Sequence, residues 1–186
     1  NYSYPIFLNL DVMDYYERKD LKNKSFHNFV DNPNDYESCF LKFSSADIFI
    51  AGHYYEHGSP FLFTRSDVRS KTFNFSVVAD ISCDIDGPVA TTIRSSTVND
   101  PIYGYNPVTE KEDDFMNDKV IAVMAVDNLP CELPKDSSSD FGDKIISELI
   151  PLLIKDQQEI IRKATICENG DLTTYFEYLR DFVESD

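Results

Sequence analysis

Three short segments of this 186-residue chain concentrate the residues able to do chemistry, and each directly follows an apolar run. They are Gly52-His53-Tyr54-Tyr55, Asp80-Ile81-Ser82-Cys83-Asp84-Ile85-Asp86-Gly87 and Asp127-Asn128-Leu129-Pro130. A glycine just past a strand lets a ligand or another backbone approach closely, and a tyrosine two residues on can lay its ring on a base or a nicotinamide. Gly52 and Tyr54 fit that pattern, and they equally fit a turn glycine followed by a half-buried aromatic. Asp80, Asp84 and Asp86 could serve a hard cation, but such a site usually needs further oxygen ligands or a substrate phosphate. Facing a nicotinamide and a substrate amine, the same carboxylates would stabilise positive charge or help to move a proton. Residue type alone leaves these roles open beside that of solvated strand-end carboxylates.

Other constellations carry less. His53 and His57 lie four apart, but Gly58-Ser59-Pro60 follows them, so the context is a loop and the spacing does not define a zinc site. The four cysteines, Cys39, Cys83, Cys131 and Cys167, form no CxxC pair and are expected to be free thiols, with no metal centre. No GxSxG occurs to support a serine nucleophile.

The elements that must position these segments follow from the apolar runs at 5–10, 47–51, 75–81 and 120–126, each of strand length. Ile48-Phe49-Ile50-Ala51 and the run 120–126 are apolar continuously rather than alternately, which predicts strands covered on both faces. The expected fold is α/β: a Rossmann-like parallel sheet between helices over residues 1–133, with a C-terminal helical segment over 134–186 packing on it. In such a sheet ligands bind at the carboxyl ends of the strands, which is where the three segments fall. Asp11, after the first run, takes the place of an acid that binds an adenosine ribose.

Tyr36, Phe40 and Phe43 follow the turn signal Asp31-Asn32-Pro33-Asn34 at helical spacing, predicting a crossover helix over 34–43. Phe141, Ile145, Ile146, Leu149 and Ile150 mark one face of a helix over 137–154, with Ser137 as N-cap and Pro151 as a kink or stop. Two further helical stretches, 156–164 and 173–183, flank the turn Glu168-Asn169-Gly170-Asp171. Residues 86–118, polar and interrupted by glycine and proline, predict an irregular excursion with short strands.

Composition narrows the partners. Seventeen basic against thirty-three acidic residues give a net charge of -16, which opposes binding to nucleic acid or to an anionic membrane. No apolar run reaches the roughly 20 residues of a transmembrane helix and no signal peptide opens the chain, so a cytoplasmic location is expected. With six glycines the chain contains neither GxGxxG nor GxxxxGK, and the phosphate-binding turn of a dinucleotide fold is expected upstream of Asn1. A partial sheet with an uncovered edge is expected to favour a homodimer.

The segments Ala46 to Tyr55, Val78 to Asp84 and Ala125 to Pro134 together resemble, in order and spacing, the C-terminal part of lysine-2-oxoglutarate reductases and lysine-forming saccharopine dehydrogenases. The resemblance runs from about Asp35 to Val183. It implies a relationship to alanine dehydrogenases and the transhydrogenase alpha subunit, two Rossmann-type domains around a cleft, and NAD or NADP on the C-terminal one. It further implies that Gly52 and Tyr54 lie along the cofactor, that Asp80 and Ser82 follow the strand beneath its nicotinamide half, and that Val126, Asp127, Asn128 and Leu129 line the cofactor and substrate side. Asp84 corresponds to a catalytic aspartate of alanine dehydrogenases. In the saccharopine enzymes a Lys and a His of an N-terminal domain do the acid-base work. The resemblance therefore implies an enzyme portion that binds cofactor beside an amino-acid or oxo-acid substrate and is inactive without that partner domain. Another alanine-dehydrogenase-like enzyme, or a non-catalytic nucleotide-binding or regulatory module, would carry the same fold.

Overall fold

The computed structural model describes residues 4–53, 55, 58–155 and 158–184. It divides into two compact units, Asn1–Leu129 and Pro130–Asp186. In the first, a short helix α1 (Val12–Tyr15) leads into β1 (Tyr16–Arg18), followed by α2 (Phe26–Asp31) and β2 (Tyr36–Ser38). Then come β3 (Ile48–Ala51), α3 (Arg65–Val68), β4 (Val77–Asp80), β5 (Ile102–Asn106), β6 (Lys111–Asp113) and β7 (Ile121–Met124).

The main sheet has the order β3-β4-β7-β5-β6. Strands β3, β4 and β7 are parallel, with Ile48 opposite Val77 and Val77 opposite Ala122, whereas β5 and β6 join antiparallel. The α/β class and the parallel strands agree with the sequence reading, and the residues 86–118 supply the antiparallel pair that makes the sheet mixed.

Strand alternation sorts the side chains onto two unlike faces. Ala51, Val78, Asp80, Ile121, Val123, Tyr103 and Tyr105 point into the core. Phe49 joins them through a cluster of rings: its centroid lies 4.7 Å from that of Phe40 and 5.4 Å from that of Phe75, and Phe63 and Phe73 are 5.1 Å apart. A second aromatic group, with Phe29 stacked on Tyr16 at 4.6 Å and edge-on to Tyr36 at 5.2 Å, fastens α2 to the small β1–β2 sheet. On the opposite face Ile48 is 59% exposed and Ile50 63%. The continuous apolar run of β3 therefore does not report a strand covered on both sides within these residues.

Two expected elements are replaced. Residues 5–10 form no strand and lie mostly exposed, because no neighbouring strand accepts their backbone groups. The expected helix over 34–43 is instead a 3-10 turn (Pro33–Asp35), strand β2 and a second 3-10 turn (Phe40–Phe43). Tyr36 and Phe40 are still buried, but pairing of β2 with β1, Tyr36 opposite Arg18, supplies the hydrogen bonds that a helix would have made internally.

The second unit begins with α4 (Pro134–Lys144), continues through a π-helical turn (Ile145–Leu149) into α5 (Ile150–Ile154), and goes on to α6 (Gln158–Ala164). The helix starts a turn earlier than Ser137, with Pro134 in the first turn, where its lack of an N–H costs nothing. Pro151 does not end it. The widened turn, closed by the Ile150 N–H donating to the Ile145 carbonyl, absorbs the bond that the proline cannot make. The hairpin β8 (Cys167–Glu168) and β9 (Asp171–Leu172) turns on Asn169 and Gly170, both at positive φ. A 3-10 segment (Thr174–Leu179) and α7 (Arg180–Glu184) complete the chain. Among the described residues of this unit no side chain is buried, and Phe141 is 68% exposed rather than on a covered face. No helix among the described residues is long and apolar enough to cross a membrane.

Candidate functional site

Because β3, β4 and β7 are adjacent and parallel, the three segments singled out in the sequence leave the sheet at the same edge. The middle one is built on Asp80. Its carboxylate is fully buried, and Oδ1 accepts from the Ser82 hydroxyl at 2.6 Å, the Ser82 N–H at 3.1 Å and the Cys83 N–H at 3.3 Å. Oδ2 accepts from the Thr92 hydroxyl at 2.6 Å. A buried carboxylate requires such partners, and here they bend the chain out of β4 into a tight loop. Cys83 and Asp86 take positive φ, the Asp86 N–H donates to the Thr92 carbonyl at 3.0 Å, and the Gly87 N–H to the Asp84 carbonyl at 3.0 Å. A Cβ on Gly87 would stand 2.7 Å from that of Asp84, so only glycine closes this loop without a shift.

Asp80 and Ser82 thus organise the loop, and their polar atoms point at one another. Asp84 lies beyond them, half-buried, with Asp86 exposed and ion-paired to Arg65. Arg65 and Arg69 both pair with Glu110.

The segment after β7 is held from the side. The Ser96 N–H donates to the Ala125 carbonyl at 2.8 Å, its hydroxyl accepts from the Ala125 N–H at 3.1 Å, and Val126 forms a parallel bridge with Ser96. Val126 is buried, whereas Asp127 and Asn128 are exposed in a turn where Asn128 has a φ of 61°. Leu129 is half-buried.

At the end of β3, Gly52 is exposed, and a Cβ built on it would meet nothing within 4 Å among the described residues, so its backbone opens onto free space there. Next to it, both ring nitrogens of His53 are buried without a hydrogen-bond partner among the described residues. Burial holds that imidazole below the usual histidine range, against the opposing pull of Asp80 and Asp84. Tyr54 and His57 lie outside the described residues.

Burial pushes the Cys83 thiol up, and the carboxylates of Asp80, Asp127 and Asp84 push it further. The edge is therefore acidic and suits a ligand that carries or develops positive charge. Among the described residues no group of three His, Cys, Asp or Glu side chains is arranged to hold a metal ion. Asp11 stands at no strand end: it caps α1, its N–H donating to the Asp14 carboxylate at 2.8 Å. A surface hollow of about 390 Å³ lined by Lys19, Tyr36, Leu41 and Asp67 involves none of the strand-end residues. Sequence reasoning had no signal for Thr92 and Ser96, because each acts across a long separation on a strand end it does not adjoin.

No family model matches the chain. Among curated proteins, alpha-aminoadipic semialdehyde synthase of Arabidopsis thaliana is 28% identical over 179 residues, covering 92% of this chain and 16% of the plant protein. The mitochondrial alpha-aminoadipic semialdehyde synthase of Mus musculus is 25% identical over 162 residues, 73% of this chain and 18% of its own. The saccharopine dehydrogenase [NAD(+), L-lysine-forming] of Schizosaccharomyces pombe is 28% identical over 119 residues, 61% of this chain and 30% of its own. The homologues of this chain are alpha-aminoadipic semialdehyde synthases and a saccharopine dehydrogenase. These are the enzymes that the strand-end segments resemble. The chain spans under a fifth of the length of the plant and mouse synthases.

Proposed function

We propose that this chain is the cofactor-binding portion of an oxidoreductase that interconverts lysine plus 2-oxoglutarate with saccharopine, using NAD or NADP. The observation that supports this reading most directly is the shared edge: the three segments that resemble the saccharopine enzymes leave adjacent parallel strands side by side. Open space over Gly52 and the unpartnered ring nitrogens of His53 fit a polar, flat ligand laid along that edge.

The nicotinamide supplies hydride chemistry when bound. The chain's own residues do the rest of what this portion contributes. Gly52 admits the nucleotide backbone, and the turn at Asp127 and Asn128 borders the reacting end. The Asp80 hub fixes the loop that carries Asp84. Asp84 and Asp127 place negative charge where lysine's amine nitrogen, cationic in the condensed imine, has to sit. The proton donor and acceptor come from another part of a longer protein, so these 186 residues alone carry no saccharopine chemistry and bind nucleotide weakly. The rodent synthase is named mitochondrial. For this protein we propose the cytoplasm, which recovery in a mitochondrial fraction would overturn.

The test is lysine-dependent oxidation of NADPH or NADH with 2-oxoglutarate by the full protein containing this chain. Turnover with pyruvate and ammonia in place of these substrates would overturn the substrate assignment. Submicromolar nucleotide affinity of the 186-residue chain by calorimetry would overturn its dependence on a partner domain.

A further inference from the structure

His53 is the residue at the shared edge whose chemistry is left unfinished. Leaving one buried polar atom without a hydrogen bond costs roughly 1–3 kcal/mol, and this ring buries two. The nearby carboxylates do not relieve it. Asp80, the buried one, has both oxygens committed, Oδ1 to Ser82 and Cys83 and Oδ2 to Thr92. A purely structural position would favour an apolar side chain of similar size.

We infer that His53 is a nucleotide-binding residue: a ring nitrogen that the fold buries without a partner at the end of β3 hydrogen-bonds an amide or hydroxyl group of a nicotinamide nucleotide lying along the edge. This rests on the edge being a nicotinamide-nucleotide site. Position supports it, because the preceding residue, Gly52, opens onto free space. Chemistry selects the kind of group. Burial favours the uncharged imidazole, against the opposing pull of Asp80 and Asp84, and an uncharged ring offers one donor and one acceptor. That pair matches a carboxamide or a ribose hydroxyl. A phosphate is disfavoured, because Asp80, Asp84 and Asp127 make the same edge acidic.

The experiment compares the full protein with its His53→Leu and His53→Gln variants, reading NADH, NADPH and nicotinamide mononucleotide affinity by calorimetry and stability by urea unfolding. His53→Leu should unfold at the same or higher urea and lose about tenfold in affinity for all three nucleotides. His53→Gln, which keeps a donor and an acceptor, should restore most of that loss. In nitrogen-15 spectra the His53 ring resonances should shift on adding nicotinamide mononucleotide and stay put with inorganic phosphate. Unchanged affinity in a stably folded His53→Leu variant would overturn the inference while leaving the edge a nucleotide site. Failure of the parent protein to bind any of the three would overturn both.

Discussion

Asp80 concentrates four hydrogen bonds on one buried carboxylate, which makes it the residue whose loss is most informative. Asp80→Ala strands two N–H groups and two hydroxyls, and should lower unfolding stability by roughly 3 kcal/mol or more. Asp80→Asn should cost less than half of that. Its oxygen can still serve Ser82 and Cys83, while its amide donates to the Thr92 hydroxyl, which can turn to accept. Urea denaturation of both variants checks the ranking, and equal costs would show that the charge, not the acceptor count, holds the loop. His53 adds a pH signature. Its basicity is lowered in the folded chain, so below the ordinary histidine value of about 6.5 the unfolded chain binds more protons than the folded one. Stability should therefore fall as pH drops through that value toward the lower folded one. The fall should flatten in His53→Leu when urea midpoints are compared across the range, and a parallel slope in parent and variant would contradict it.

At the scale of elements, the loop after β4 and the end of β3 place glycines under opposite demands. A Cβ at position 87 meets Asp84 backbone oxygen at 2.8 Å, so Gly87→Ala should destabilise by about 1–3 kcal/mol. At position 52 nothing lies within 4 Å, so Gly52→Ala should change stability by no more than about 0.5 kcal/mol. If the edge receives a nucleotide, that same alanine should weaken its binding, and a neutral effect on both readouts would remove Gly52 from the site. These elements were legible to different degrees. The runs that became β3, β4 and β7 declared themselves by apolar stretches of strand length, although the outward side chains of β3 turn out exposed, and Asn169-Gly170 declared its hairpin because both residues tolerate positive φ. The run at 5–10 has the same composition but no strand to pair with, and pairing is not written in a local pattern. Tyr36 and Phe40 are buried as their spacing implied, yet a strand and a 3-10 turn bury them equally well once β1 offers its edge. The strand-end segments could be read as a site, whereas their supports, Thr92 and Ser96, became visible only when distant loops came together.

For the whole molecule, the unequal faces of the main sheet govern behaviour in solution. The outer face carries Ile48, Ile50 and Val77, at 59%, 63% and 36% exposure, a contiguous apolar patch on neighbouring strands beside the free edge of β3. Such a face favours contact with a second copy. The charge of -16 works against that contact at long range, but it is screened within about 8 Å at physiological salt, whereas burial of the isoleucines is not. The 186-residue chain should therefore self-associate more strongly as salt is raised, the reverse of an association driven by ion pairs. Replacing Ile48 and Ile50 together with threonine keeps β-propensity and removes most of the patch, because both side chains already face solvent. That double variant should sediment as a monomer at high salt with its unfolding midpoint within about 0.5 kcal/mol of the parent's. Sedimentation velocity at low and high salt decides the point: association that weakens with salt, or that survives in the double variant, would move the contact away from this face.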